Sequence, residues 1–145
     1  MRTARSGFEL LDHRADIGVR AFGPTVESAF IQAARGMFAV MVELDAVRSV
    51  ESHDVALASA MLDELLVDWL SDLLAQKDLN GLVFGQFEVS IRDGANGWRL
   101  AGRALGERLD RGRHDPRAEV KGISHLGLSV QCERDRWTAC AVFDV

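Results

Sequence analysis

Asp12 and Asp16 bracket the polar run Asp12-His13-Arg14-Ala15-Asp16, which lies between two short apolar segments, Phe8 to Leu11 and Ile17 to Phe22. Aspartates on a bend serve one of two ends. They bond their own backbone and hold the turn, or they converge with other oxygens on a hard divalent cation. Asp144 poses the same question at the other end of the chain. It closes an apolar run containing Ala139, Ala141, Val142 and Phe143, and Val145 adds a terminal carboxylate one residue later. A charge that ends a core strand without a partner in sequence needs one in space. A salt bridge to Lys121 or to an arginine is one answer. A cation shared with the N-terminal acidic bend is the other, and it requires the first and last strands to be neighbours so that Asp16 and Asp144 converge.

A third candidate is the stretch Glu107 to Arg117, with Arg108, Arg111, Arg113, Arg117 and His114. Guanidinium groups in such numbers could hold a phosphate or meet an acidic partner. Glu107, Asp110, Asp115 and Glu119 nearly cancel that charge, and a solvated loop is the plainer reading. Elsewhere, His13, His53, His114, His125, Cys132 and Cys140 show no zinc-ligand spacing. The sequence contains no nucleophile elbow, no Walker loop and no dinucleotide fingerprint.

These residues must be positioned by something, and the patterning says what. Val26, Ala29, Phe30, Ala33, Ala34, Met37 and Phe38 follow helical spacing after Thr25, a capping residue, and predict a helix to about Val40. Leu62, Leu65, Leu66, Trp69, Leu70, Leu73 and Leu74 predict a second helix, with Ser59 as its cap and Asp63, Glu64, Asp68 and Asp72 on its solvated side. A strand is expected from Val47 to Leu57. Phe87, Val89 and Ile91 alternate with polar residues, and the turn Asp93 to Gly97 joins them to a strand from Trp98 to Leu105. Gly106 to Arg117 is expected as loop. Val120 to Cys132 and Trp137 to Val145 make a last hairpin, turning near Arg134-Asp135. The expectation is a single α+β domain over residues 1–145, a mainly antiparallel sheet with two helices on one face, residues 1–7 forming a short flexible start.

The chain has 145 residues, 17 Lys+Arg against 22 Asp+Glu, and a formal net charge of -5. That balance argues against autonomous nucleic-acid binding, which needs a basic face, and allows cations or a basic protein partner. No apolar run reaches the ~20 residues of a membrane span, and no signal-peptide layout opens the chain. Two cysteines make no disulfide framework, so a cytoplasmic location is expected.

Asp12-His13-Arg14-Ala15-Asp16-Ile17-Gly18-Val19 resembles the D-H-T-A-D-I-G signature of the archease family. Further segments agree in the family's order: Ala33 to Phe38; Leu65 to Leu70; Gly106-Glu107 with Asp110 and His114; Glu119-Val120-Lys121; and the ending Val142-Phe143-Asp144-Val145. Arg14 stands where the signature has Thr, and Ser124-His125-Leu126 replaces the family's Thr-Tyr-His. The resemblance implies a compact α+β domain that supports an RtcB-type RNA ligase in tRNA splicing and RNA repair. Such ligases are guanylylated on a histidine by GTP in a metal-dependent step. An archease promotes that step and multiple turnover without being a ligase itself, and meets tRNA only through the ligase. By position the resemblance assigns a metal site to Asp16 and Asp144, with an oxygen from Val145. Calcium is the implied ion, and oxygen donors suit magnesium or manganese as well. Asp12, His13, Glu107, His114 and Lys121 are then candidates for supporting that site or contacting the partner. A chaperone-like binding module and a stand-alone metal-dependent phosphoester hydrolase are the alternative functions.

Overall fold

Two antiparallel sheets enclose a layer of helices in the computed structural model, which describes residues 5–12 and 15–145. The first sheet contains β1 (Gly7–Asp12), β2 (Asp16–Gly23), β6 (Gly122–Glu133) and β7 (Arg136–Asp144), in the order β1-β2-β7-β6. The second contains β3 (Glu51–Ser59), β4 (Leu82–Gly94) and β5 (Gly97–Arg108), in the order β3-β5-β4. Helix α1 (Val26–Met41) packs on β1, β2 and β7 on one side and on β4 on the other, while α2 (Leu62–Asn80) touches β6 and all three strands of the second sheet. Each sheet therefore carries helices on one face and leaves its other face to solvent.

Local chemistry explains where the elements begin and end. Thr25 caps α1 through a reciprocal pair: the Ser28 N–H donates to the Thr25 hydroxyl at 3.0 Å, and the Thr25 N–H donates to the Ser28 hydroxyl at 3.0 Å. Helix α2 starts from Met61 without a side-chain cap, and Asp63 and Glu64 in its first turn complement the helix dipole instead. It stops at Gly81, whose φ of 68° is a left-handed cap. The last hairpin turns through Arg134 and Asp135 at φ 52° and 64°, the two positive values of a tight hairpin turn.

The core lies between the helices and both sheets. Phe38 of α1 meets Phe84 edge-on at 5.6 Å and stacks on Phe87 at 6.1 Å. The Trp69 indole N–H of α2 donates to the Phe30 carbonyl at 3.1 Å, tying the two helices together. Helix α1 sits close to the first sheet because position 36 is glycine. A Cβ there would stand 2.6 Å from Cγ2 of Val19 and 3.2 Å from the Phe8 ring.

The α+β class expected from patterning holds, and the strands divide into two sheets. Ser59 belongs to β3 and does not cap α2. The strand expected from residue 47 starts at Glu51, after a 3-10 turn at Leu44–Ala46. The stretch read as loop from Gly106 begins inside β5 and contains a one-turn helix, α3 (Arg111–His114). Asp110 creates that turn by accepting the Gly112 and Arg113 N–H groups at 3.0 and 3.3 Å. Strand β1 begins at Gly7, the last residue of the stretch expected as a flexible start, and pairs with Phe22.

Gly36→Ala is predicted to destabilise the fold by about 1–3 kcal/mol, the range for overpacking a tight core, read as a lower urea midpoint. An unchanged midpoint would show that Val19 and Phe8 yield freely.

Candidate functional site

Strands β2 and β7 pair along their whole length, and their register sets Asp16 directly opposite Asp144. The backbone holds this arrangement from both sides. The Lys121 N–H donates to the Asp144 carbonyl at 2.7 Å, and the Val145 N–H donates to the Ala15 carbonyl at 3.2 Å. On the far side of β7, Gly122 is the residue opposite Asp144. A Cβ at position 122 would lie 3.9 Å from Oδ2 of Asp144, so glycine leaves that flank of the carboxylate open.

Directly opposed side chains in an antiparallel pair have Cβ atoms about 4.5–5.5 Å apart, and like charges in that relation repel. Neither Asp16 nor Asp144 has an ion-pair partner among the described residues. Lys121 meets Asp144 through backbone and not through a salt bridge. Oxygen donors of this kind are what hard divalent ions take. Such ions take about six to eight oxygens. Among the described residues no group of three or more His, Cys, Asp and Glu side chains is gathered for a metal. Two carboxylates alone would fill only part of such a shell.

Asp12 ends β1 opposite Ile17, which by register puts it on the other face from Asp16. His13 and Arg14 lie outside the described residues.

Glu107 and His114 are buried and turned toward each other, away from any partner. Glu107 sits at the end of β5 and takes the forked guanidinium of Arg113, one arm reaching Oε2 and the other Oε1 at 2.9 Å. The Arg48 N–H donates to Oε2 at 2.8 Å, and His114 Nε2 lies 2.9 Å from the same oxygen. The Asp110 N–H donates to His114 Nδ1 at 2.8 Å, which leaves Nε2 to carry the ring proton toward Glu107. Arg113 also donates to the Ala46 carbonyl at 3.1 Å, and the Glu43 N–H donates to the His114 carbonyl at 2.7 Å. The Arg113 guanidinium is the main reason that the Glu107 carboxyl is held far below the usual carboxylate range. Burial opposes it, and the Arg48 and His114 hydrogen bonds assist. The same contact raises Arg113. Arg117 is likewise engaged, by Glu43 at 2.5 Å. Glu107, Arg113 and His114 thus spend their polar groups on one another, stitching α3 to β5 and to the segment before β3, while Arg117 pairs with Glu43 at the surface. Sequence spacing missed Arg113 as the clamp, and Asp110, a capping residue before a short turn, was the one available signal.

The archease protein family (MTH1598/TM1083) matches residues 8–145. Similar proteins include the archease of Thermococcus gammatolerans, 41% identical over 95% of this chain and 98% of the relative. That of Thermococcus kodakarensis is 40% identical over the same shares. The solution structure of Methanobacterium thermoautotrophicum protein 1598 superposes with a TM-score of 0.85 at 34% identity, covering 96% of this chain and 99% of that one. The crystal structure of a Thermotoga maritima archease, described as a possible chaperone, shares the fold with a TM-score of 0.60 at 16% identity, over 100% of this chain and 98% of that one.

Two predictions follow from the charges. Asp144→Asn in metal-free buffer removes a like-charge opposition and is predicted to raise unfolding stability by about 0.2–1 kcal/mol; a loss of stability would mean the carboxylates already have a partner. Glu107→Gln is predicted to cost about 1.5–3 kcal/mol at pH 7, as for a charge-assisted hydrogen bond. Because the folded Glu107 titrates below its unfolded value, its contribution is complete above about pH 4.5 and drains away as pH falls toward the depressed folded value. The urea-midpoint gap between wild type and Glu107→Gln should therefore narrow from pH 7 to pH 3. A constant gap would show that Glu107 acts by shape alone.

Proposed function

The chain belongs to the archease family, and from that premise we propose that it is a cytoplasmic accessory protein that activates an RtcB-type RNA ligase in tRNA splicing and RNA repair. The observation that carries the reading is the registered pair Asp16–Asp144, two facing carboxylates without a cationic neighbour among the described residues, at the positions to which the archease resemblance assigns a metal.

Asp16 and Asp144 would hold the ion with an oxygen of Val145, calcium first and magnesium or manganese as alternatives. Bound there, a divalent cation supplies charge neutralisation and an anchor for phosphate oxygens, the main needs of a nucleotidyl transfer. The chain's own part is positioning. The β2–β7 ladder fixes the separation of the two carboxylates, and the Lys121 and Val145 N–H groups lock the backbone on either side. Gly122 keeps the flank clear, so that a partner's group can approach. The ladder holds the two acids side by side before the partner arrives, which avoids the cost of reorganising them at that moment.

The test is guanylylation of the cognate ligase with GTP and metal, with and without substoichiometric protein. Wild type is expected to give faster labelling and multiple turnover. Asp16→Asn is expected to reduce the stimulation at least tenfold, a loss on the order of 1.4 kcal/mol, with its fold intact by circular dichroism. Stimulation by Asp16→Asn at the wild-type rate would overturn the role given to the acidic pair.

A further inference from the structure

The outward face of the first sheet holds a second polar cluster, toward the other end of its strands from the acidic pair. Trp137, Ala139, Ala141 and Phe143 of β7 pack on the core, which puts Arg136, Thr138 and Cys140 on the opposite face. Register sets Arg20 of β2 and Ser129 of β6 on either side of Cys140, and Phe22 and Gln131 on either side of Thr138. Arg20 stands four residues along β2 from Asp16, roughly 13 Å away. The two clusters are therefore separate.

Ligand sites are concave, and a sheet face becomes concave where short side chains lie amid long ones. Here the short Ser129, Thr138 and Cys140 lie amid Arg20, Gln131 and Arg136, and the pocket they line encloses about 450 Å³. Its donors point to an anion. Both guanidiniums, both hydroxyls and the Gln131 amide can donate, against one lining carboxylate, Glu133 at the hairpin end. Register puts Glu133 opposite Arg136, yet among the described residues Arg136 forms no ion pair. It lies instead over the Phe22 ring, its guanidinium carbon 4.1 Å from the ring centre. That contact places the guanidinium without neutralising it. Arg20 has an acidic neighbour in Glu9, but at 4.0 Å and with both side chains half-exposed, a pairing that contributes little.

We propose that this pocket binds a phosphomonoester, with Arg20 and Arg136 taking the phosphate and Ser129, Gln131 and Thr138 the polar atoms attached to it. A phosphomonoester carries about -1.5 to -2 charges at neutral pH, a match for two guanidiniums that a phosphodiester does not give. Arginine forks also fit phosphate oxygens two at a time. Arg136 is held on Phe22 beforehand and loses less freedom on binding. The site does not depend on the activator reading, and its failure would leave that reading untouched.

Cys140, half-buried among the lining residues, reports occupancy. In Cys132→Ser, which removes the exposed second thiol, alkylation of Cys140 by iodoacetamide is followed while AMP is titrated, with binding measured in parallel by calorimetry. AMP is expected to bind and to slow alkylation by roughly tenfold as it covers the thiol, and inorganic phosphate is expected to compete with it. Arg20→Gln and Arg136→Gln, both on the open face, are expected to keep the wild-type circular dichroism and weaken AMP binding by about tenfold. Asp16→Asn is expected to bind AMP as wild type does. No AMP binding at millimolar concentration would overturn the proposal, and so would binding that neither arginine variant weakens. Binding that leaves Cys140 alkylation unchanged would put the ligand elsewhere and overturn it too. Equal affinity for cyclic AMP would assign the pocket to a phosphodiester, as in a nucleic-acid strand, and overturn the monoester. Equal affinity for adenosine would show that the phosphate is not read at all.

Discussion

The register of β2 on β7 is the constraint from which the rest of the molecule follows. On the inner face it lines up Ile17, Val19 and Ala21 with Phe143, Ala141 and Ala139, all packed against the helical layer. A slip of one residue on either strand would turn its apolar set to solvent. Core packing of several side chains outweighs one electrostatic opposition of a few tenths of a kcal/mol to about 1 kcal/mol. The opposition of Asp16 and Asp144 is therefore imposed by the core and cannot be relieved by sliding. A cation placed between them would relieve it without moving the strands.

The helical layer makes that imposition rigid. Gly36 lets α1 settle onto Val19, and Trp69 of α2 is hydrogen-bonded to α1 through Phe30. Away from the acidic pair, the Glu107–Arg113–His114 contacts pin α3 and the segment ahead of β3. The two charged regions thus play opposite parts. Buried acids with cations of their own stiffen a loop, while Asp16 and Asp144 have no cationic partner among the described residues.

Much of this was legible in the residues. Period-3.6 stripes marked α1 within a residue or two and the buried face of α2 from Leu62 to Leu74, although α2 runs on to Asn80, because a helix buried on one stripe has little freedom in what it puts there. The hairpin turns were marked by Asp93 to Gly97 and by Arg134-Asp135. The isolation of Asp144 at the end of an apolar strand, together with the acidic bend, allowed a convergence with Asp16 on the condition that the first and last strands are neighbours, and it is the β2–β7 register that meets this condition. The division into two sheets was not legible, since strand alternation reports which face is buried and not which strand lies alongside. Nor was the fate of Glu107 and His114. Composition sees their charges as cancelling, whereas only the chain's path decides whether a charge meets its partner inside or outside. The start of α2 was misplaced for a similar reason: Ser59 has capping chemistry, but its pairing with Trp98 keeps it in β3.

The central claim is that the registered carboxylates share one cation. Crystals soaked in manganese and measured at its absorption edge test this directly. The account predicts a single anomalous peak between Asp16 and Asp144, within bonding distance of both carboxylates and absent in Asp144→Asn. A map without a peak there, with the two side chains splayed apart, would contradict it.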